Sequence, residues 1–177
     1  MTSTSLKVFP VAGGAVYWDD YNQDPSQGRV HDGVDLLAAK GTPLLAVDDG
    51  NIRFGTDVKG GNIANLRTAD GTRYYYAHLN AFEGSNRAVK AGDVVGYLGH
   101  TGNAQGTPNH LHFEIHPGGG DDVNPYSLLR QAPITSKSAA GPKSILWPLT
   151  FLALVGVGVW AYSRPQEASR FFQRLAR

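Results

Sequence analysis

The sequence predicts a mainly β protein, a compact antiparallel β-sheet domain followed by a C-terminal transmembrane helix. Three observations carry this. From residue 6 to about residue 130, short runs rich in β-branched and aromatic residues alternate with Gly, Asp and Asn turns. No amphipathic helical period is sustained across that stretch. Near the end of the chain, Lys143 and Arg164 enclose 20 consecutive uncharged residues.

In chain order, the expected strands are Thr42–Val47, Asn51–Phe54, Thr72–Ala77, Asp93–Leu98 and His110–His116. The turns between them are marked by Asp49-Gly50, Lys59-Gly60-Gly61-Asn62, Asp70-Gly71 and Ala91-Gly92-Asp93. The folded domain is expected to occupy residues 1–130. Residues 131–143 (QAPITSKSAAGPK) are polar, small and Pro/Gly-containing, as a flexible linker is. Residues 144–163 form the expected membrane helix; its apolar core, residues 145–162, would span about 27 Å of bilayer. Trp147 lies near one end and Trp160 and Tyr162 near the other, as an aromatic belt requires, and Pro148 falls in the first turn, where it is tolerated. Residues 164–177 place Ala168, Phe171, Phe172 and Leu175 at helical spacing with arginines between them, a short basic amphipathic tail suited to anionic lipid.

Composition narrows the chemistry. The 177 residues are 41% hydrophobic and include no Cys. Disulfides, thiolate metal sites and cysteine nucleophiles are therefore excluded, and any metal must be held by His and carboxylate. Residues 1–136 carry 10 Lys/Arg against 14 Asp/Glu, whereas the remainder carries 6 against 1. An acidic body argues against nucleic-acid binding, which needs basic residues clustered on the folded surface. The N-terminal MTSTSLKVFPVAGG has neither a basic n-region nor an unbroken apolar stretch, so no secretion signal is expected.

Histidine carries the strongest chemical signal. His110 and His112 are two apart in a strand-like run, HLHFEI, so their imidazoles should face one side. His31 and Asp35 are separated by an even interval, again same-side if extended, with Gly33 leaving the space between them free. His78, at the end of another strand, can reach the same cavity. An isolated His-x-His is more often an exposed or core pair satisfied by hydrogen bonds, so context has to decide.

Three segments supply that context: RVHDGVDLLAAKGTPLLAVDDG, GGNIANLRTADGTRYYYAHLN and VKAGDVVGYLGHTGNAQGTPNHLHFEIHP. Together they resemble, from about Arg29 to Pro125, the lysostaphin-like or LytM-type zinc endopeptidases of bacterial cell walls. The resemblance implies a compact antiparallel β-sheet fold with an active-site groove across the sheet. It also implies one zinc ion per domain held by His31, Asp35 and His112, and His78 and His110 as the two catalytic histidines. Three protein ligands leave one position open, which a hydrolytic zinc site requires. Which of His78 and His110 acts as base stays open. Glu114, at even spacing after the HLH pair, is expected to orient a ligand or to be a plain strand residue. Tyr76, two before His78, is expected either to hydrogen-bond substrate or to pack. His100 and His116 fall outside the matched positions and read as turn or surface histidines. Asn109 stands where many relatives have Pro. Only 30 residues precede His31, too few for the inhibitory pro-segment of some relatives, and no separate wall-binding domain is evident.

The implied function is a membrane-anchored zinc metalloendopeptidase that hydrolyses peptidoglycan cross-links, its partners being peptidoglycan and, through residues 145–162, a lipid bilayer. The alternatives are a catalytically silent member of the fold that docks onto another wall hydrolase, and a phage virion component with the same chemistry. Retention of all five matched positions favours an enzyme over the silent module. Arg164, Arg170, Arg174 and Arg177 outnumber Lys137 and Lys143, which places the tail inside and the domain facing the wall, or the anchor in a virion membrane.

Overall fold

The computed structural model describes residues 5–22 and 30–136. Nine strands and one short helix follow in chain order: β1 (Val34–Leu37), β2 (Pro43–Leu45), β3 (Gly50–Asp57), β4 (Gly61–Arg67), β5 (Arg73–Ala77), β6 (Ala81–Phe82), β7 (Arg87–Val89), β8 (Val94–Tyr97), β9 (His110–His116) and α1 (Tyr126–Gln131). Six strands form one sheet in the order β1-β9-β5-β4-β3-β7, and three form a second in the order β2-β8-β6. Every pairing is antiparallel. The fold is the mainly β antiparallel architecture that the turn-punctuated runs predict.

Each of the five expected runs holds a strand, and β9 coincides with its run. The alternation along β9 explains why. Leu111, Phe113 and Ile115 are fully buried, while His110, His112 and Glu114 between them are half-buried on the opposite face. Burying each of those three apolar side chains contributes about 1.5–3 kcal/mol. A one-residue slip would therefore be heavily disfavoured, and the register that fixes the histidines is fixed by the core. The same core takes in Leu6, Phe9 and Val11 from the N-terminal segment, Leu44 and Val95 from the smaller sheet and Leu129 from α1.

Strands β1, β4, β6 and β7 and helix α1 lie outside the five expected runs. β4 pairs with β3 from Asn51↔Arg67 to Asp57↔Gly61, closing a hairpin over residues 58–60. Its first residue, Gly61, has φ +64°, and a Cβ there would lie 2.3 Å from the Gly102 nitrogen. The hairpin can thus pack against the 3-10 turn Gly102–Ala104 only because residue 61 has no side chain. Within the expected linker, the carbonyls of Pro133 and Thr135 accept hydrogen bonds from the Phe9 and Gly13 N–H groups, both at 2.9 Å. Among the described residues no helix is long and apolar enough to cross a membrane. The expected span at 144–163 and the tail at 164–177 lie outside the described residues.

Candidate active site

Sheet register builds the centre of the site. β1 lies beside β9 with Asp35 directly opposite His112, and β5 lies on the other side of β9 with Ala77 opposite His112. His31 enters from the loop before β1. That loop can approach because of Gly33: a Cβ there would lie 2.4 Å from the Phe113 carbonyl oxygen and 3.0 Å from His112 Cε1. The result is a tight cluster. His31 Nε2 lies 3.0 Å from His112 Nδ1 and 3.2 Å from Asp35 Oδ1, and His112 Nδ1 lies 3.0 Å from the same Asp35 oxygen.

The other ring nitrogens decide what this cluster can hold. His31 Nδ1–H donates to the Asp20 carbonyl at 3.0 Å, and His112 Nε2–H donates to Glu114 Oε1 at 3.1 Å. Both partners can only accept, so in each neutral ring the nitrogen turned toward Asp35 carries a lone pair. Two imidazole lone pairs and a carboxylate oxygen then converge with nothing of opposite sign between them. Such a set needs a shared proton or a cation, and its donor types fit a divalent metal that accepts nitrogen and oxygen.

Titration follows the same geometry. Burial opposes charge on Asp35, but hydrogen bonds from His112 and His31 outweigh it and hold the carboxyl well below the usual range. Burial likewise opposes charge on His112, yet Asp35 and Glu114 push its pKa up to about 9. His31 is raised by Asp35 against the opposing effect of burial. Asp20, 9% exposed, has its Oδ1 3.7 Å from His31 Nδ1, and burial together with the Asp35 charge pushes its pKa up to about 7.

Two further histidines flank the cluster. His78 Nδ1–H donates to the Thr101 carbonyl at 2.9 Å, and His110 Nδ1–H donates to the Pro108 carbonyl at 2.8 Å. Each neutral ring therefore keeps a bare Nε2. The rings meet edge to face with centroids 4.8 Å apart, and His110 Nε2 is 3.8 Å from Asp35 Oδ2. Burial and the neighbouring His110 depress the His78 pKa to about 4, so this ring is neutral at pH 7. His78 has φ +66°, a conformation costly for a residue with a side chain and one that clusters at functional sites. All five residues line a single cleft of about 680 Å³, with the exposed Val30 and Val58 at its mouth.

Tyr76 does not belong to this cleft. The substrate-binding role is corrected to a core role: the side chain is fully buried, its hydroxyl donates to the Leu45 carbonyl and accepts from the Val47 N–H, both at 3.1 Å. The physical reason is the positive φ of His78, which ends the strand alternation, so Tyr76 and His78 do not share a face. Tyr75 stands on the cleft face instead, opposite Glu114. Its hydroxyl donates to Asp57 Oδ2 at 2.9 Å, and its ring meets the His112 ring edge-on at 6.4 Å. Nothing in the YYY run distinguishes Tyr75 from its neighbours unless the turn at His78 is known. His116, expected in a turn or at the surface, is 8% exposed and lies 2.6 Å from Glu114. It ends β9 in phase with His110, His112 and Glu114, a parity that was available in the sequence. His100 is half-buried and is not among the residues lining the cleft.

With this geometry in place, comparison with known proteins is decisive. The family model of peptidase family M23 matches residues 29–125, over half the chain and all five clustered residues. The chain belongs to peptidase family M23. This M23 domain is 41% identical over 106 residues to the DD-carboxypeptidase/endopeptidase Mpg of Neisseria meningitidis serogroup B, covering 59% of the chain and 24% of that protein. It is 41% identical over 91 residues to the glycyl-glycine endopeptidase ALE-1 of Staphylococcus capitis, covering 49% of the chain and 25% of that protein. The chain thus spans about a quarter of the length of these curated relatives. Among solved structures, the catalytic domain of the antimicrobial peptidase lysostaphin from Staphylococcus simulans superposes with a TM-score of 0.55 at 31% identity, covering 66% of this chain and 89% of that one.

Proposed function

We propose that this M23 peptidase is a membrane-anchored zinc metalloendopeptidase that hydrolyses peptide cross-links of bacterial peptidoglycan. The observation that carries the reading is the convergence of three lone-pair-bearing atoms, from His31, Asp35 and His112, beside two histidines whose free nitrogens serve the same cleft. Two imidazoles and one carboxylate form a ligand set suited to catalytic zinc. Zinc held there supplies Lewis acidity, lowering the pKa of water toward neutrality and polarising a carbonyl.

The chain's own residues do the rest. His78, neutral at pH 7, offers its Nε2 lone pair to the proton of an attacking water. His110, anchored at Nδ1 on Pro108, offers a second Nε2 lone pair, and whichever of the two rings takes the proton of the water becomes an imidazolium that gives that same proton to the leaving amine. Tyr75 has committed its proton to Asp57, so its hydroxyl oxygen is an acceptor for an amide N–H of a bound peptide. The endopeptidase names of the relatives support the substrate class. Membrane anchorage rests on the uncharged run between Lys143 and Arg164.

Elemental analysis of the full-length protein tests the metal: one zinc per chain is expected, lost in His112→Ala, and zinc content unchanged by that substitution refutes the ligand set. Protease accessibility on intact spheroplasts tests the topology. Digestion of the folded domain before lysis is expected, and full protection until the membrane is broken would refute the outward orientation.

A further inference from the structure

Glu114 does more than meet His112. Its Oε1 accepts from His112 Nε2–H, while its Oε2 lies 2.6 Å from His116 Nε2. His116 is itself held on both sides: Nδ1–H donates to the Gly120 carbonyl at 3.0 Å, and Arg73 Nη2 lies 2.7 Å from Nε2. Arg73 in turn donates through Nη1 to Asn65 Oδ1 at 3.2 Å, and its guanidinium lies 5.7 Å from the centre of the Tyr75 ring. Register explains the contact, because Arg73 on β5 is directly opposite His116 on β9, as Tyr75 is opposite Glu114. A row of polar side chains thus crosses the sheet from Asn65 to His112, with its members half-buried or buried.

From this row we infer that His116 and Arg73 are positioning residues for the metal ligand His112, acting through Glu114. The inference rests on the metal reading above and extends it to two residues outside the ligand and catalytic set. A glutamate side chain has several rotamers. The one observed directs Oε1 at His112 Nε2 while Oε2 meets His116, and with it fixes which nitrogen of His112 turns toward Asp35. His116 Nε2 stands between Glu114 Oε2 and Arg73 Nη2, so the ring ties the carboxylate to the guanidinium, and the Gly120 anchor prevents it from swinging away. Groups that orient a ligating histidine typically change metal affinity by about 10- to 100-fold when removed.

The test is a coupling experiment on the full-length protein, with zinc affinity read by competition with a chromophoric chelator and the melting of each metal-free variant followed by circular dichroism. His116→Ala is expected to weaken zinc binding about tenfold, and His116→Gln, whose amide reaches the Nε2 position, to recover part of that loss. In a Glu114→Ala background the same His116→Ala change should alter affinity less than about twofold, because residues acting through one another are not additive. Should His116→Ala fail to fold, Arg73→Met and its pairing with Glu114→Ala carry the same comparison. Zinc affinity equal to wild type in both His116→Ala and Arg73→Met overturns the inference, as does an equal loss with and without Glu114. A wild type that takes up no zinc overturns the metal reading and this inference together. Tight wild-type binding with indifferent variants overturns this inference alone.

Discussion

Substituting Gly33 by Ala probes the link between fold and site at its narrowest point. A Cβ there would sit 2.4 Å from the Phe113 carbonyl oxygen and 3.0 Å from both the Phe113 carbonyl carbon and His112 Cε1. Contacts that short are with backbone, which cannot rotate aside, so relief requires the loop before β1 to move away from β9 by about 1 Å. Overpacking of this kind costs about 1–3 kcal/mol. For a domain of this size that lowers the melting temperature of the metal-free protein by roughly 5–15 °C. Because Asp35 and His112 face each other across that same strand pair, the displacement also spreads the three metal-facing atoms. Zinc affinity should fall by at least about tenfold, in the range seen when supporting contacts of a metal ligand are lost. Circular dichroism melting and chelator competition measure the two effects separately. Gly55→Ala serves as the control, since the nearest atoms to a Cβ there are 3.8 and 3.9 Å away. A Gly33→Ala protein that melts with wild type and binds zinc as tightly would refute the reasoning.

Further expectations separate the roles of neighbouring residues. Tyr76→Phe should lower stability by about 1–3 kcal/mol, by stranding two buried backbone partners, without changing kcat/KM. Tyr75→Phe should do the reverse, raising KM with little change in melting temperature, and a loss of activity confined to Tyr76→Phe would contradict the assignment. His78→Ala and His110→Ala should each retain zinc, checked by elemental analysis, while losing about 10²- to 10⁴-fold in wall hydrolysis. For the metal-free protein, the raised His112 pKa contributes stability in full below its unfolded value of about 6.5, and that contribution is lost as pH rises through about 9. The lowered Asp35 pKa contributes above about 3.8 and is lost as pH falls below it. Metal-free melting temperature should therefore peak between about pH 4 and 6.5 and decline toward pH 9. Zinc binding at pH 7 should release about one proton, visible by calorimetry in buffers of different ionisation enthalpy, and zero release would contradict the His112 assignment.

How far the site was legible depended on whether a residue's face follows from strand parity. His110, His112 and Glu114 were readable because β9 is a regular strand whose odd positions are apolar. His116 shares that parity, but its place at the strand end made it read as a turn residue. Of the two roles open to Tyr76 the core one holds, because parity stops at His78, where a positive φ turns the chain, and a sequence of three tyrosines contains no sign of that break. β4 was passed over because its run, GNIANLR, opens on the residues that mark a turn and mixes Asn with apolar positions. The histidine cluster itself came from separated segments, and only their joint resemblance to a known family brought them to one place before the register of β1, β9 and β5 did so in space. Helix α1, six residues long, is too short for periodicity to reveal.

The central claim is hydrolysis of peptidoglycan cross-links at a site held by His31, Asp35 and His112. Mass spectrometry of muropeptides released from purified walls by the full-length protein tests it most directly. New peptide termini at cross-links should appear with wild type, disappear on chelation, return on adding zinc, and be absent with His31→Ala. Walls left intact by zinc-loaded protein, or cleavage indifferent to chelation and to His31→Ala, would contradict the account.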